Sequence, residues 1–211
     1  MIVIHHLAIS QSDRIAWLCE ELGVPYEIKH YARDPRTKSA PADYRALTPF
    51  GAAPVITDGD LVLGESAAIV EYIITTYGAG RLTVGPGAAN YTDYLFWFHF
   101  ANGSLMPSAM MDMVAHMFAA AMGPLPDLRA RLDRAYGQLE ARLGQVPYLA
   151  GEAFTAADIL SVFPLTTMRV FAPRDLGPYP NIRAYLARIG ERPAFQRAMV
   201  KSDPGFTVPL N

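Results

Sequence analysis

The 211-residue chain is poor in cysteine, with Cys19 alone. It can form no intrachain disulfide and no cysteine-built metal cluster, which fits a reducing compartment. Long hydrophobic runs are missing as well. No stretch approaches the ~18 apolar residues of a transmembrane helix, and the N-terminus enters strand pattern without the basic segment of a secretory signal. Charge excess is also lacking: the net charge is −2, so neither nucleic acid nor an anionic membrane is an expected partner. Together these absences lead to the expectation of a cytoplasmic protein. Hydrophobic content of 51% against 18% charged residues excludes disorder. A chain of this length buries roughly 70% of its unfolded surface.

Periodicity divides the chain in two. Residues 1–7 read as a buried strand, and Ile15, Leu18, Cys19 and Leu22 then recur at helical spacing. Gly23 and Pro25 supply a helix stop. Residues 26–31 alternate like a second strand, and a polar stretch, 32–43, leads into a short helix. Strand patterns at 54–57 and 61–63 flank Asp58-Gly59, a hairpin signal. Residues 65–77 carry the stripe Ile69, Tyr72, Ile73 of a helix. The order β-α-β-α-β-β-α implies a mixed sheet with helices on its faces. The glycine-rich 79–87 is read as a linker between a domain at 1–78 and an all-helical domain at 88–211. It lacks the Lys-Ser/Thr of a phosphate loop. In the second half, 91–122 is expected to be one long helix bent near Pro107. Leu128, Leu132, Ala135, Leu139 and Leu143 form an apolar stripe, and Thr155 with Asp158 makes a capping-box pattern.

The first strand hands over to the first helix at "SQSD", 10–13. Ser10, Ser12 or Asp13 can serve as helix N-cap. The same place, beside free backbone N–H groups and the positive end of a helix, is also an anion site. A redox protein of this order would carry Cys-x-x-Cys here; serines exclude protein-thiol exchange. A serine can instead hold the thiolate of a small molecule. Bringing a thiol from ~8.5 to ~6.5 requires about 2.7 kcal/mol. One charge-assisted hydrogen bond gives ~1.5–3 kcal/mol and a helix terminus ~0.3–1, so the sum suffices.

A second constellation is "TPFGAAPVITDGDLVLGES", 48–66. Pro54 opens a strand and gives no ladder N–H. It is read either as an ordinary strand-start proline or as the second residue of a cis Ala53–Pro54 bond that turns the Ala53 backbone outward to dock an extended peptide. Glu65 and Ser66 fall at a strand-to-helix junction. They suit an ammonium and a carboxylate respectively, or a plain helix cap. "GESAA" is one residue from the Gly-x-Ser-x-Gly nucleophile elbow, but only His99 and His116 follow Ser66, both inside helix pattern, which ranks a serine hydrolase low. His5 and His6 are adjacent on a strand and point to opposite faces. With no ligand spacing among His30, His99 and His116, no metal site is expected. Met106, Met110, Met113 and Met117 share a helix face, as core or dimer packing or as an adaptable wall for apolar ligands. Cys19 is read as a packed helix residue.

These stretches together resemble the glutathione S-transferase superfamily. "HHLAISQSDRIAWLCEELGVPYEI" is similar to the first strand–helix–strand of its serine-type bacterial and fungal members, "TPFGAAPVI" to a Pro-x-Gly-x-x-Pro segment and "GES" to a Glu-Ser motif. "FTAADILSVFPL" and "YPNIRAYLARIGERPAFQRAM" resemble the family's later helices. The resemblance implies a thioredoxin-like domain binding glutathione as co-substrate, a helical domain contributing the electrophile site, a homodimer and a role in detoxification. Carried over, Ser10 is the thiolate-stabilising hydroxyl, Ala53 and Pro54 dock the cysteinyl backbone, and Glu65 and Ser66 hold the γ-glutamyl end. His6, Met106, Met110 and Met113 are candidates for the electrophile site. Where the family often has lysine, this chain has Ala52, so the contact to the glycine carboxylate is expected either to be lost or to be taken over by Lys38 or Arg36. Peroxidase activity with glutathione, or a ligand-binding role without turnover, are the alternatives.

Overall fold

A computed structural model describes residues 1–123 and 126–211, the side chains of 119–122 excepted. The chain forms two compact units, one of 1–82 with 191–207 and the other of 83–190 with 208–211. The division falls inside the expected linker. The segment 191–207 groups with the N-terminal unit, however, although the sequence places it in the helical half.

The first unit follows the expected order: β1 (Ile2–Leu7), α1 (Asp13–Leu22), β2 (Tyr26–Tyr31), α2 (Ala42–Arg45), β3 (Val55–Asp58), β4 (Leu61–Gly64) and α3 (Ser66–Thr76). The sheet runs β2-β1-β3-β4. β1 pairs parallel with β2 and antiparallel with β3, and β3 pairs antiparallel with β4. β1 is central, and its side chains are buried on both faces, so it reads as a nearly continuous apolar run rather than an alternation. Ile15, Leu18, Ile69 and Ile73 from α1 and α3 complete the core against Ile2, Ile4 and Ile56. Gly23 ends α1 in the left-handed conformation, with the Val24 N–H bonded to the Cys19 carbonyl. The hairpin turn sits one residue later than Asp58-Gly59 suggests. Asp58 pairs with Leu61, and Gly59, at φ +57°, takes the first turn position.

The second unit is helical among the described residues: α4 (Tyr91–Phe100), α5 (Met106–Met122), α6 (Pro126–Leu143), α7 (Ala156–Leu165), α8 (Met168–Phe171) and α9 (Pro180–Gly190). The single long helix expected over 91–122 is interrupted by a π-helical turn at Ala101–Leu105. Pro107 has no N–H for the carbonyl four residues back, at Gly103, and the ladder widens just ahead of it. The stripe Leu132, Ala135, Leu139 and Leu143 of α6 is buried as expected.

The last helix, α10 (Pro193–Ser202), lies against α1 in the first unit. The Trp17 and Phe195 rings meet edge to face, 5.0 Å between centroids.

Candidate functional site

The register gathers the sequence-predicted residues of the first unit at one end of the sheet. His5 pairs with Val55, and Val55 pairs with Gly64. The loop after β1, the Ala53–Pro54 step before β3 and the Glu65–Ser66 junction after β4 therefore lie side by side. Leu7 pairs with Tyr31, so the loop carrying Lys38 starts from the same end. The carboxyl ends of parallel strands are where ligands bind in such sheets.

The Ala53–Pro54 bond is cis, as the docking reading of that step requires. Ile9 and Glu65 stand at φ +51° and +65°, a region that costs a β-branched or charged residue energy. Each immediately precedes a serine of interest, so both strand-to-helix junctions are held in unusual backbone.

Neither serine hydroxyl at the first junction caps α1. Ser12 occupies the N-cap position without a side-chain cap bond. Its hydroxyl is instead 2.7 Å from that of Ser10 and 2.8 Å from His6 Nδ1. His6 Nε2 is 3.1 Å from Asp203 Oδ2, just past α10. The Ile9 N–H donates to the other Asp203 oxygen at 3.0 Å. His6 is thus buried, with Nδ1 bonded to Ser12 and Nε2 beside the Asp203 carboxylate without completing a hydrogen bond, which directs its imidazole toward the serines and away from an apolar ligand wall.

Arg14, four residues after Ser10 and 1% exposed, joins the two junctions: its Nη1 donates to Ser66 Oγ at 3.5 Å. Burial lowers Arg14 to about 10, with neighbouring Asp13 opposing that fall. Burial raises Asp13 itself to about 7, against the pull of Arg14 and His6. Ser66 thus meets a guanidinium, and His99 and His116, the histidines that follow it in sequence, lie on α4 and α5 of the second unit. Glu65 is exposed.

Lys38 is exposed, at φ +60°. Its loop is ordered by Asp34, whose carboxylate accepts the Arg36 and Thr37 N–H groups at 2.9 and 2.7 Å. Arg33 ties that loop to the Ser10 loop, donating to the carbonyls of Ala8 (2.8 Å), Lys38 (3.1 Å) and Ile9 (3.4 Å). Sequence reasoning passed over Arg33 and Asp203. Arg33 sits one strand over from Ser10, and Asp203 lies 194 residues from Ile9; no local pattern marks either.

Of the methionines on α5, Met106 is buried, Met113 half-buried and Met110 40% exposed. Met106 therefore belongs to the core of its unit, whereas Met110, Met111 and Met117 offer exposed apolar surface and Met113 a part of its own. Cys19 is buried, and burial pushes its thiol up to about 12, which makes it an inert packing residue. Among the described residues, no group of three or more His, Cys, Asp or Glu side chains is placed to hold a metal ion. No described helix is long and apolar enough to cross a membrane.

Comparison with known proteins identifies the family. The glutathione S-transferase N-terminal domain model matches residues 10–76 and the C-terminal domain model residues 106–193. The chain is 34% identical over 222 residues to glutathione S-transferase 3 of Schizosaccharomyces pombe, covering 95% of this chain and 88% of that one. It is 30% identical over 194 residues to glutathione S-transferase 3 of Zea mays, covering 88% and 87%. Among solved structures, a glutathione S-transferase from Actinobacillus pleuropneumoniae superposes with a TM-score of 0.86 at 32% identity, over 97% of this chain and 95% of that one. With its thioredoxin-like first unit and helical second unit, the chain belongs to the glutathione S-transferase family.

Proposed function

We propose that this protein is a glutathione transferase that binds glutathione at the junction end of the sheet, ionises its thiol and conjugates the sulfur to a small apolar electrophile. One observation carries the reading. Ser10 stands between β1 and α1, at the positive end of a helix, with a hydroxyl that is not spent on capping. Such a hydroxyl donates to a thiolate without needing a base of its own. The relatives named glutathione S-transferase support the same reaction class.

The remaining assignments follow. The backbone at Ala53, before cis-Pro54, takes the cysteinyl backbone of glutathione in extended pairing. Ser66 and the N-terminal N–H groups of α3 take the γ-glutamyl carboxylate, and Glu65 takes its ammonium. Lys38 takes the glycine carboxylate that Ala52 cannot reach. Met110 and Met113 supply apolar wall for the electrophile. A homodimer is supported by apolar side chains left at the surface, Phe50 above all at 83% exposure, with Phe96 and Met111 on the second unit. The cytoplasm is the proposed compartment and detoxification the proposed role.

The test is conjugation of glutathione to an aryl halide by wild type and Ser10→Ala, with calorimetric binding alongside. Wild type is expected to turn over. Ser10→Ala is expected to bind glutathione and lose about a hundredfold in kcat/KM, the scale of one preorganised donor to a developing anion. A wild type that neither binds glutathione nor conjugates it would sink the reading.

A further inference from the structure

The Ser10 hydroxyl does not stand alone. It is the outer end of two linked hydrogen bonds, Ser10 Oγ to Ser12 Oγ at 2.7 Å and Ser12 Oγ to His6 Nδ1 at 2.8 Å, behind which the Asp203 carboxylate stands 3.1 Å from His6 Nε2 as a charge contact. Ser10 is 6% exposed, while Ser12 and His6 are sealed at 0% and 1%. Protein atoms therefore supply the partners of the two inner groups, with no bulk water between them. Building on the transferase reading above, we propose that Ser12, His6 and Asp203 form a proton relay that accepts the glutathione thiol proton inward through Ser10. Ser12, His6 and Asp203 are positioning residues in this scheme; only Ser10 touches the ligand.

The direction of the bonds makes the case. The Asp203 carboxylate, 3.1 Å from Nε2 though not in line for a hydrogen bond, favours the proton of a neutral imidazole on that nitrogen by its charge and leaves Nδ1 as an acceptor. Ser12 must then donate to Nδ1, and its oxygen accepts from Ser10. In that state the Ser10 O–H points inward, and its oxygen faces the arriving thiol as an acceptor. Each proton then moves one place. The S–H proton goes to Ser10 Oγ, the Ser10 proton to Ser12 Oγ, and the Ser12 proton to His6 Nδ1. Three bonds to hydrogen break and three form, with no change of oxidation state. The net result is a thiolate at the ligand and an imidazolium against Asp203. All the hydroxyls now point outward, so Ser10 donates to the sulfur anion it has just helped to create.

The same two serines therefore serve as acceptors before ionisation and as donors after it, and fixing Ser10 alone as a donor would give only the second half. Once the sulfur is bonded to the electrophile, the protons step back outward, from His6 Nδ1 to Ser12, from Ser12 to Ser10 and from Ser10 to solvent, which restores the neutral imidazole with its proton on Nε2.

Other charges around His6 are compatible with its cycling. His30 of β2 lies edge-on with ring centroids 5.6 Å apart. Asp13 of α1 interacts with both His6 and Arg14, and Arg33 lies within electrostatic reach of Asp203. Asp203 itself is resisted by burial but held below its ordinary range by His6 and the Ile9 N–H. Asp203 thus remains a carboxylate, the state the relay needs.

The experiment follows the thiolate ultraviolet absorbance of bound glutathione against pH. Proton release on binding is measured in parallel, by calorimetry in two buffers of different ionisation enthalpy. The proteins are wild type, Ser10→Ala, Ser12→Ala and Asp203→Asn, each checked for an unchanged circular dichroism spectrum. In wild type the thiolate is expected to form near neutrality with well under one proton released. In Ser12→Ala it should form about one pH unit higher and release its full proton, with kcat down about tenfold and the glutathione KM little changed. Asp203→Asn keeps an oxygen for the Ile9 N–H and should shift in the same direction. If Asp203→Asn does not fold, Ser12→Ala alone decides. Variants folded as wild type whose titration and proton release superimpose on it would overturn the relay while leaving the transferase reading intact, provided that Ser10→Ala is impaired. A wild type that does not bind glutathione would overturn both.

Discussion

Arg192 closes on Glu21 with two parallel hydrogen bonds, Nε to Oε1 and Nη2 to Oε2, each 2.7 Å. The pair spans 171 positions of sequence and pins the start of α10 to the end of α1. The Trp17 indole N–H also donates to Glu21 Oε1, at 2.9 Å. Side-chain exposures of 23% and 10% leave the pair partly shielded, and the forked geometry is the strong form of an ion pair. It is expected to be worth about 1–2 kcal/mol, above the median for surface pairs. A double-mutant cycle of Glu21→Ala and Arg192→Ala, read by urea denaturation, checks this. A coupling energy indistinguishable from zero would mean that this pair adds nothing to the hold of Phe195 on Trp17 and of Arg197 and Lys201 on Glu20.

The neighbouring Glu20 makes the same contact sensitive to acid. Burial works to raise its carboxyl, but hydrogen bonds from Lys201 (2.6 Å), Arg197 (2.7 Å) and Tyr26 (2.9 Å) outweigh burial and hold it at about 2, below its ordinary 4.5. A carboxylate held down in the folded state contributes stability that is complete above its unfolded value and is lost as pH falls toward the folded one. Wild type is therefore expected to exceed Glu20→Gln in stability at pH 6, with the two curves converging between pH 4.5 and about 2. Arg197 and Lys201 are more than half exposed, so salt should narrow the gap. Parallel curves over that window would rule out Glu20 as the acid-labile contact.

The elements of the first unit were legible because their signals are local. A strand breaking into "SQSD", a stop at Gly23-Val24-Pro25 and a hairpin around Gly59 each state themselves within a few residues. The same holds for Ser10, Pro54 and Ser66, which fall at junctions. What could not be read is what crosses the chain. Nothing near Asp203 says that it will meet His6 and Ile9, and nothing in 191–207 says that it will pack on α1 and not with the helices before it. The π-helical turn was half legible: Pro107 announces a disturbance, but whether the helix bends or widens depends on how its neighbours pack. His6 illustrates the limit best. Strand alternation sets it on the face opposite His5, and only the fold reveals that Ser12 bonds its Nδ1 and that Asp203 stands beside its Nε2.

Asp158 is the structural pivot of the second unit. Its Oδ1 accepts from the Leu149 N–H (2.9 Å) and the Tyr185 hydroxyl (3.1 Å), and its Oδ2 from the Thr155 N–H (2.8 Å) and hydroxyl (3.2 Å). One carboxylate thus completes the capping box of α7, anchors the preceding loop and ties in α9. Burial raises it to about 6, the hydrogen bonds only partly opposing the rise. A carboxyl whose folded value lies above its unfolded 3.8 contributes stability present at low pH and lost as pH climbs through the folded value. Asp158→Asn removes that titration, but it also turns an N–H₂ toward donors on one side, leaving them without an acceptor at a cost of about 1–3 kcal/mol. The variant should therefore melt lower than wild type throughout and lose the decline in stability between pH 3.8 and about 6. Calorimetric melting across that range measures both effects. An Asp158→Asn protein as stable as wild type at neutral pH would show that the buried carboxylate is replaceable and that packing of α7 holds the unit.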